Sequence, residues 1–122
     1  MMVPWKNREK LTPRFRSLIE NAAHDSQVYL PVTSDWRDAS FVDPGASKTS
    51  RHLHGEGVDF DIPLKGHGTL VGPLVVALIR RATAMGIVHE LEIELVASKR
   101  DSHLHLALDP KQKVIAIFGA TD

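Results

Sequence analysis

The sequence predicts an α+β fold, an antiparallel sheet with two main helices packed on it, and three observations predict it. Two segments repeat apolar residues at helical spacing, several short segments alternate or are rich in β-branched residues, and the last three of these follow one another across short turns. Adjacent strands joined by short turns pair antiparallel, whereas βαβ crossovers would need a helix between each pair.

The elements follow in order. Thr12-Pro13 reads as an N-cap with proline at the first helical position, and Phe15, Leu18, Ile19, Ala22 and Ala23 continue at helical spacing to an end near His24. Val28 to Thr33 is β-branched and aromatic, a short strand whose Pro31 suits an edge or a strand end. Ser34 to Ser50 has no periodicity and reads as a long loop. Val58 to Ile62 alternates apolar and acidic residues, as a strand with one polar face does. A turn at Lys65-Gly66-His67-Gly68 leads to a second helix, Leu70 to Met85, with Arg80 and Arg81 near its end and Gly86 as the cap. Leu91 to Val96 and Leu104 to Leu108 are strands joined at Lys99 to Ser102, and Val114 to Phe118 is the last strand.

At 122 residues the chain is one domain, spanning residues 1–122. Fifteen basic residues balance fifteen acidic ones, which argues against nucleic acid or an anionic membrane as partner. There is no cysteine, so any metal must be held by imidazole and carboxylate, and seven histidines are available. The opening MMVPWKNREKLTPRF lacks the apolar run of a secretory signal and no segment is long and apolar enough to span a membrane, so a soluble protein made in the cytoplasm, acting as a monomer, is expected.

Two histidine clusters stand out, SRHLHGEGVDFD and SHLHLALD. Side chains alternate across a strand, so Leu104, Leu106 and Leu108 take the core face while His103 and His105, with Asp101 by parity, take the other. Gly55 and Gly57 allow the backbone to fold tightly, so that His52 can present its ring beside Asp59. Two imidazoles and a carboxylate, His52, Asp59 and His105, suit zinc and leave a position open for water. A half-exposed polar strand face is the plainer reading of the same residues. A cupin fits poorly: Glu56 follows His54 too closely, and two helices do not belong in an all-β barrel.

Ser50-Arg51-His52-Leu53-His54-Gly55-Glu56-Gly57-Val58-Asp59 resembles the S-x-H-x-x-G-x-A-x-D signature of the zinc D-alanyl-D-alanine carboxypeptidases and L-alanyl-D-glutamate endopeptidases, which share a fold with the hedgehog signalling domain. Gly57 stands at the alanine position. The opening helix followed by VYLPVTSDWRD, with the family's S-x-[YW]-R segment, the second apolar helix and the late SHLHLAL strand extend the resemblance from about Leu11 to Leu108.

The resemblance implies a zinc metallopeptidase that hydrolyses peptidoglycan stem peptides, with His52, Asp59 and His105 as Zn2+ ligands and Ser50 as a supporting partner. It implies that Arg37 binds the substrate carbonyl or carboxylate, although a loop arginine also suits a surface ion pair. The family carries Glu or Asp three residues before the last histidine, and that position here is Ser102. Asp101 is the favoured base, His103 an alternative acid or base, and Glu92 and Glu94 are remoter candidates on another strand. Hedgehog domains share the histidine at the His103 position, so a catalytically inactive zinc-binding recognition module remains the alternative. An endolysin-like enzyme without a leader would reach the cell wall by phage-type release. His54, Glu56 and Asp61 read as solvated or supporting groups.

Overall fold

A computed structural model describes residues 2–38, 51–61, 68–97 and 102–121. The expected loop at 39–50, the turns around 65–67 and 99–101, and the proposed roles of Ser50 and Asp101 lie outside the described residues. What is described is α+β, two helices and a five-stranded sheet in the order β1-β2-β4-β3-β5.

Helix α1 (Pro13–Ser26) starts as the sequence predicts, with the Thr12 hydroxyl accepting the Phe15 N–H at 3.4 Å and Pro13 in the first turn. It runs on past His24 to Ser26 and is capped by Gln27 in the left-handed region, φ 56°. Strand β1 (Val32–Ser34) is shorter than the expected Val28 to Thr33. The Val28 N–H is spent on Ala23 O, the Leu30 N–H on Met2 O, and Pro31 has none to give, so the ladder begins only at Val32.

A 3₁₀ turn, Arg51–His54, leads into β2 (Gly57–Phe60). Helix α2 (Gly68–Ala84) is followed by Gly86 at φ 74°, the cap the sequence predicts. A second 3₁₀ turn, Val88–Glu90, precedes β3 (Leu91–Ala97), which pairs antiparallel with β4 (Ser102–Leu108).

The last strand, β5 (Ala116–Thr121), corrects the all-antiparallel expectation because it pairs parallel with β3. Both edges of β4 are already taken, by β2 and β3, so the returning chain must add outside β3. Running opposite to β4, it necessarily runs with β3. The Gln112 side-chain amide braces this crossing by donating to Leu91 O at 3.2 Å.

One face of the sheet carries the core. Phe15, Leu18 and Ile19 of α1, Leu74 and Leu78 of α2, and Val58, Phe60, Ile93, Leu104, Leu106 and Leu108 of the strands form one buried cluster. The opposite face aligns Asp59, His105, Glu94 and Phe118 in a row across β2, β4, β3 and β5. Burying six strand residues on one side therefore fixes which side chains are left to do chemistry on the other.

Candidate metal centre

His105 and Asp59 meet because β2 and β4 pair in the register that sets them directly opposite. His105 Nδ1 lies 2.8 Å from Asp59 Oδ1. His52 arrives from the Arg51–His54 turn, with Nε2 3.4 Å from Asp59 Oδ2, and the two imidazole rings sit 5.4 Å apart. One ligand atom from each of His52, Asp59 and His105 falls within 4.8 Å of the others, so the three can hold a metal ion.

Tight backbone packing delivers His52 to this point. Gly55 adopts φ 69°, and a Cβ there would stand 2.3 Å from Lys10 O. A Cβ on Gly57 would stand 2.8 Å from the His52 backbone nitrogen, so the turn packs against the strand more closely than any larger residue there would permit. The turn is also held from below by a buried ion network. Glu56 accepts from Thr12 Oγ1 at 2.8 Å, from Arg14 Nε at 2.7 Å and from Arg51 Nη2 at 2.9 Å, while Arg14 also reaches Glu90 at 2.8 Å. Glu56 is thus a buried structural group joining α1 to the turn, and its carboxyl is held below its ordinary value because bonds from Arg14 and Thr12 outweigh burial, which pushes it up.

Hydrogen bonds decide which ring nitrogen each histidine turns toward Asp59. His52 Nδ1 is 2.6 Å from the Asp35 carbonyl, which can only accept, so Nδ1 donates there and Nε2 is the ring nitrogen turned toward the Asp59 carboxylate. His52 Nε2 and His105 Nδ1 both face the Asp59 carboxylate, so a ring proton or a metal ion can lie between each nitrogen and that carboxylate. Burial pushes the Asp59 carboxyl up, but contacts from His105 and His52 outweigh it and hold the group well below the usual carboxylate range. Burial likewise opposes charge on His105, yet the Asp59 contact, with Glu92 and Glu94 further off, raises its pKa.

Beside the cluster opens a cleft of about 330 Å3 whose walls include Arg37, Asp59, Asp61, Ser102 and His103. Arg37 is 42% exposed along its side chain and donates to Ser34 Oγ at 2.8 Å and to Asp59 Oδ2 at 3.3 Å. Both readings of this residue meet here, since its ion pair is with a candidate ligand and its guanidinium borders the cleft. Asp61 is exposed at the cleft wall, and His54 is exposed.

Glu92 and Glu94 are not remote. Glu94 pairs directly opposite His105, and Glu92 Oε1 lies 3.7 Å from His105 Nε2. Neither is among the described residues lining the cleft, and both lie beside His105 on the neighbouring strand. The expected hairpin and the alternation Glu92-Ile93-Glu94 were the signals for this adjacency. Asp35, which aims His52, carried no comparable signal, because its partners lie in the N-terminal segment.

Fold and site together define an α+β domain with a candidate two-histidine, one-carboxylate metal centre at the edge of a polar cleft. No family model, curated protein or solved structure matches the chain. Among the described residues no helix is long and apolar enough to cross a membrane.

Proposed function

We propose that the chain is a zinc-dependent peptidase of the D-alanyl-D-alanine carboxypeptidase and L-alanyl-D-glutamate endopeptidase type, with a hedgehog-like fold, acting on peptidoglycan stem peptides. The observation that carries the reading is the convergence of His52, Asp59 and His105 beside a cleft that Asp59 lines together with Arg37 and His103. Neutral imidazole nitrogens and one carboxylate are a donor set suited to zinc. Such an ion would supply Lewis acidity, polarising the scissile carbonyl and lowering the pKa of a water.

The remaining work falls to the chain. The Arg37 guanidinium, half-exposed at the cleft wall, binds the substrate carboxylate or the carbonyl oxygen as negative charge develops there. Hydrolysis also needs a base for the attacking water and an acid for the leaving amine. His103 lines the cleft and can serve in either sense, while Asp101 is the second candidate base. Glu92 and Glu94, lying beside His105, support the ligand instead.

The test is to incubate zinc-loaded and chelator-treated protein with purified peptidoglycan and identify new termini by mass spectrometry. Metal-dependent termini are expected, and their chemistry names the bond. The recognition-module reading is favoured by one feature, Ser102 lining the cleft where the family carries a carboxylate. Bound zinc without new termini on several wall chemistries would decide for it. Asp101→Ala and His103→Ala separate the base candidates, since the true base loses turnover while retaining zinc.

A further inference from the structure

We propose that the N-terminal segment at Lys6 and Asn7 is a working part of the metal centre, because it anchors Asp35, and Asp35 fixes the orientation and tautomer of His52. The inference rests on the metal-centre reading above and makes Asp35 a positioning residue.

Asp35 is 1% exposed, yet none of the donors to its carboxylate described here is a charged side chain. Oδ2 accepts the N–H groups of Lys6 at 2.8 Å and Asn7 at 2.9 Å. Oδ1 accepts Asn7 Nδ2 at 2.8 Å and its neighbour's Trp36 N–H at 2.7 Å. A buried carboxylate is costly unless its oxygens are satisfied, and these four donors satisfy both. The side chain is thereby locked to the N-terminal segment.

The main chain of the same strip grips the ligand. Asp35 O accepts His52 Nδ1–H at 2.6 Å, and the Arg37 N–H donates back to His52 O at 3.2 Å. Only the tautomer with the proton on Nδ1 leaves Nε2 free to face Asp59, so the position of one carbonyl decides whether His52 can ligate. That carbonyl belongs to a residue whose carboxylate is held by Lys6 and Asn7 as well as by the adjacent Trp36 N–H. Partners of this outer kind typically change metal affinity by about 10–100-fold when lost.

Asp35→Asn keeps the shape but turns one accepting oxygen into an amide donor facing N–H groups, and Asn7→Ala removes one donor. Zinc affinity is read by competition with a chromophoric chelator, and the His52 tautomer in metal-free protein by long-range 15N–1H NMR. Leu78→Ala, buried in α2, controls for stability alone. The expected result for Asp35→Asn is a zinc affinity lower by about 10–100-fold together with loss of the Nδ1–H pattern of His52. Asn7→Ala shifts both in the same direction by less, and Leu78→Ala lowers Tm without moving either. Folded Asp35→Asn with wild-type affinity and an unchanged His52 pattern overturns the proposal. If that variant does not fold, Asn7→Ala decides in the same way. Wild-type protein that takes up no zinc overturns the metal-centre reading itself, and with it the purpose assigned to the tether.

Discussion

At the scale of the residue, His105 and Asp59 carry the sharpest expectations. His105→Ala removes one of the three converging donors, so zinc stoichiometry measured by elemental analysis should fall from one per chain toward zero; full occupancy would dismiss the ligand set. The raised pKa of His105 sets a pH dependence. In metal-free protein, the stabilisation from its charge beside Asp59 is fully present below the ordinary histidine value of about 6.5 and is lost as pH rises through the higher folded value. Metal binding has the opposite sign, since zinc requires the neutral ring. The rise in Tm on adding zinc should therefore grow as pH climbs through that window, and a zinc-induced shift that shrinks with pH would contradict the assignment.

At the scale of the element, the Arg51–His54 turn is held by two different devices. Gly55 combines a left-handed backbone with a Cβ path blocked by Lys10 O at 2.3 Å, so Gly55→Ala should cost more than the ~1 kcal/mol of a left-handed alanine alone, measured by urea unfolding. Glu56 is an anchor of another kind. Glu56→Gln leaves Arg51 facing a neutral group and Arg14 with Glu90 alone, and a loss of about 1.5–3 kcal/mol is expected as charge-assisted hydrogen bonds are lost. Its carboxyl lies below the ordinary value of 4.5, so its contribution is complete above that pH and disappears as pH falls through the lower folded value. Acid unfolding of wild type should show this loss and Glu56→Gln should not. Strand β5 is an element of a third kind, with Ile117 and Phe118 about half-exposed at the open edge of the sheet.

At the scale of the whole molecule, the two faces of one sheet divide the labour between stability and chemistry. Leu106→Ala, in the middle of the core face, should destabilise by about 2–5 kcal/mol without removing a ligand, so zinc at saturating concentration should restore part of the lost Tm by mass action. A failure of zinc to shift the Tm of this variant, with wild type shifted, would show that the two faces are not independent.

Much of this was legible in the sequence. The Thr12-Pro13 cap, both helices and the leucine alternation of β4 follow from local rules, because a cap, a helical period and a strand's two-residue period are properties of neighbours along the chain. What stayed hidden depended on residues far apart. The parallel pairing of β5 followed from which strand edges were already occupied, the short β1 from donors spent on Ala23 and Met2, and the burial of Glu56 from two arginines brought in by other elements. By itself, then, the sequence determined the α+β class and the strand face on which His103 and His105 lie. Only the tertiary structure decided that Asp59 meets His105, that Glu92 lies beside His105 and that the Asp35 carbonyl meets His52, because register and long-range hydrogen bonds exist only once the strands have paired.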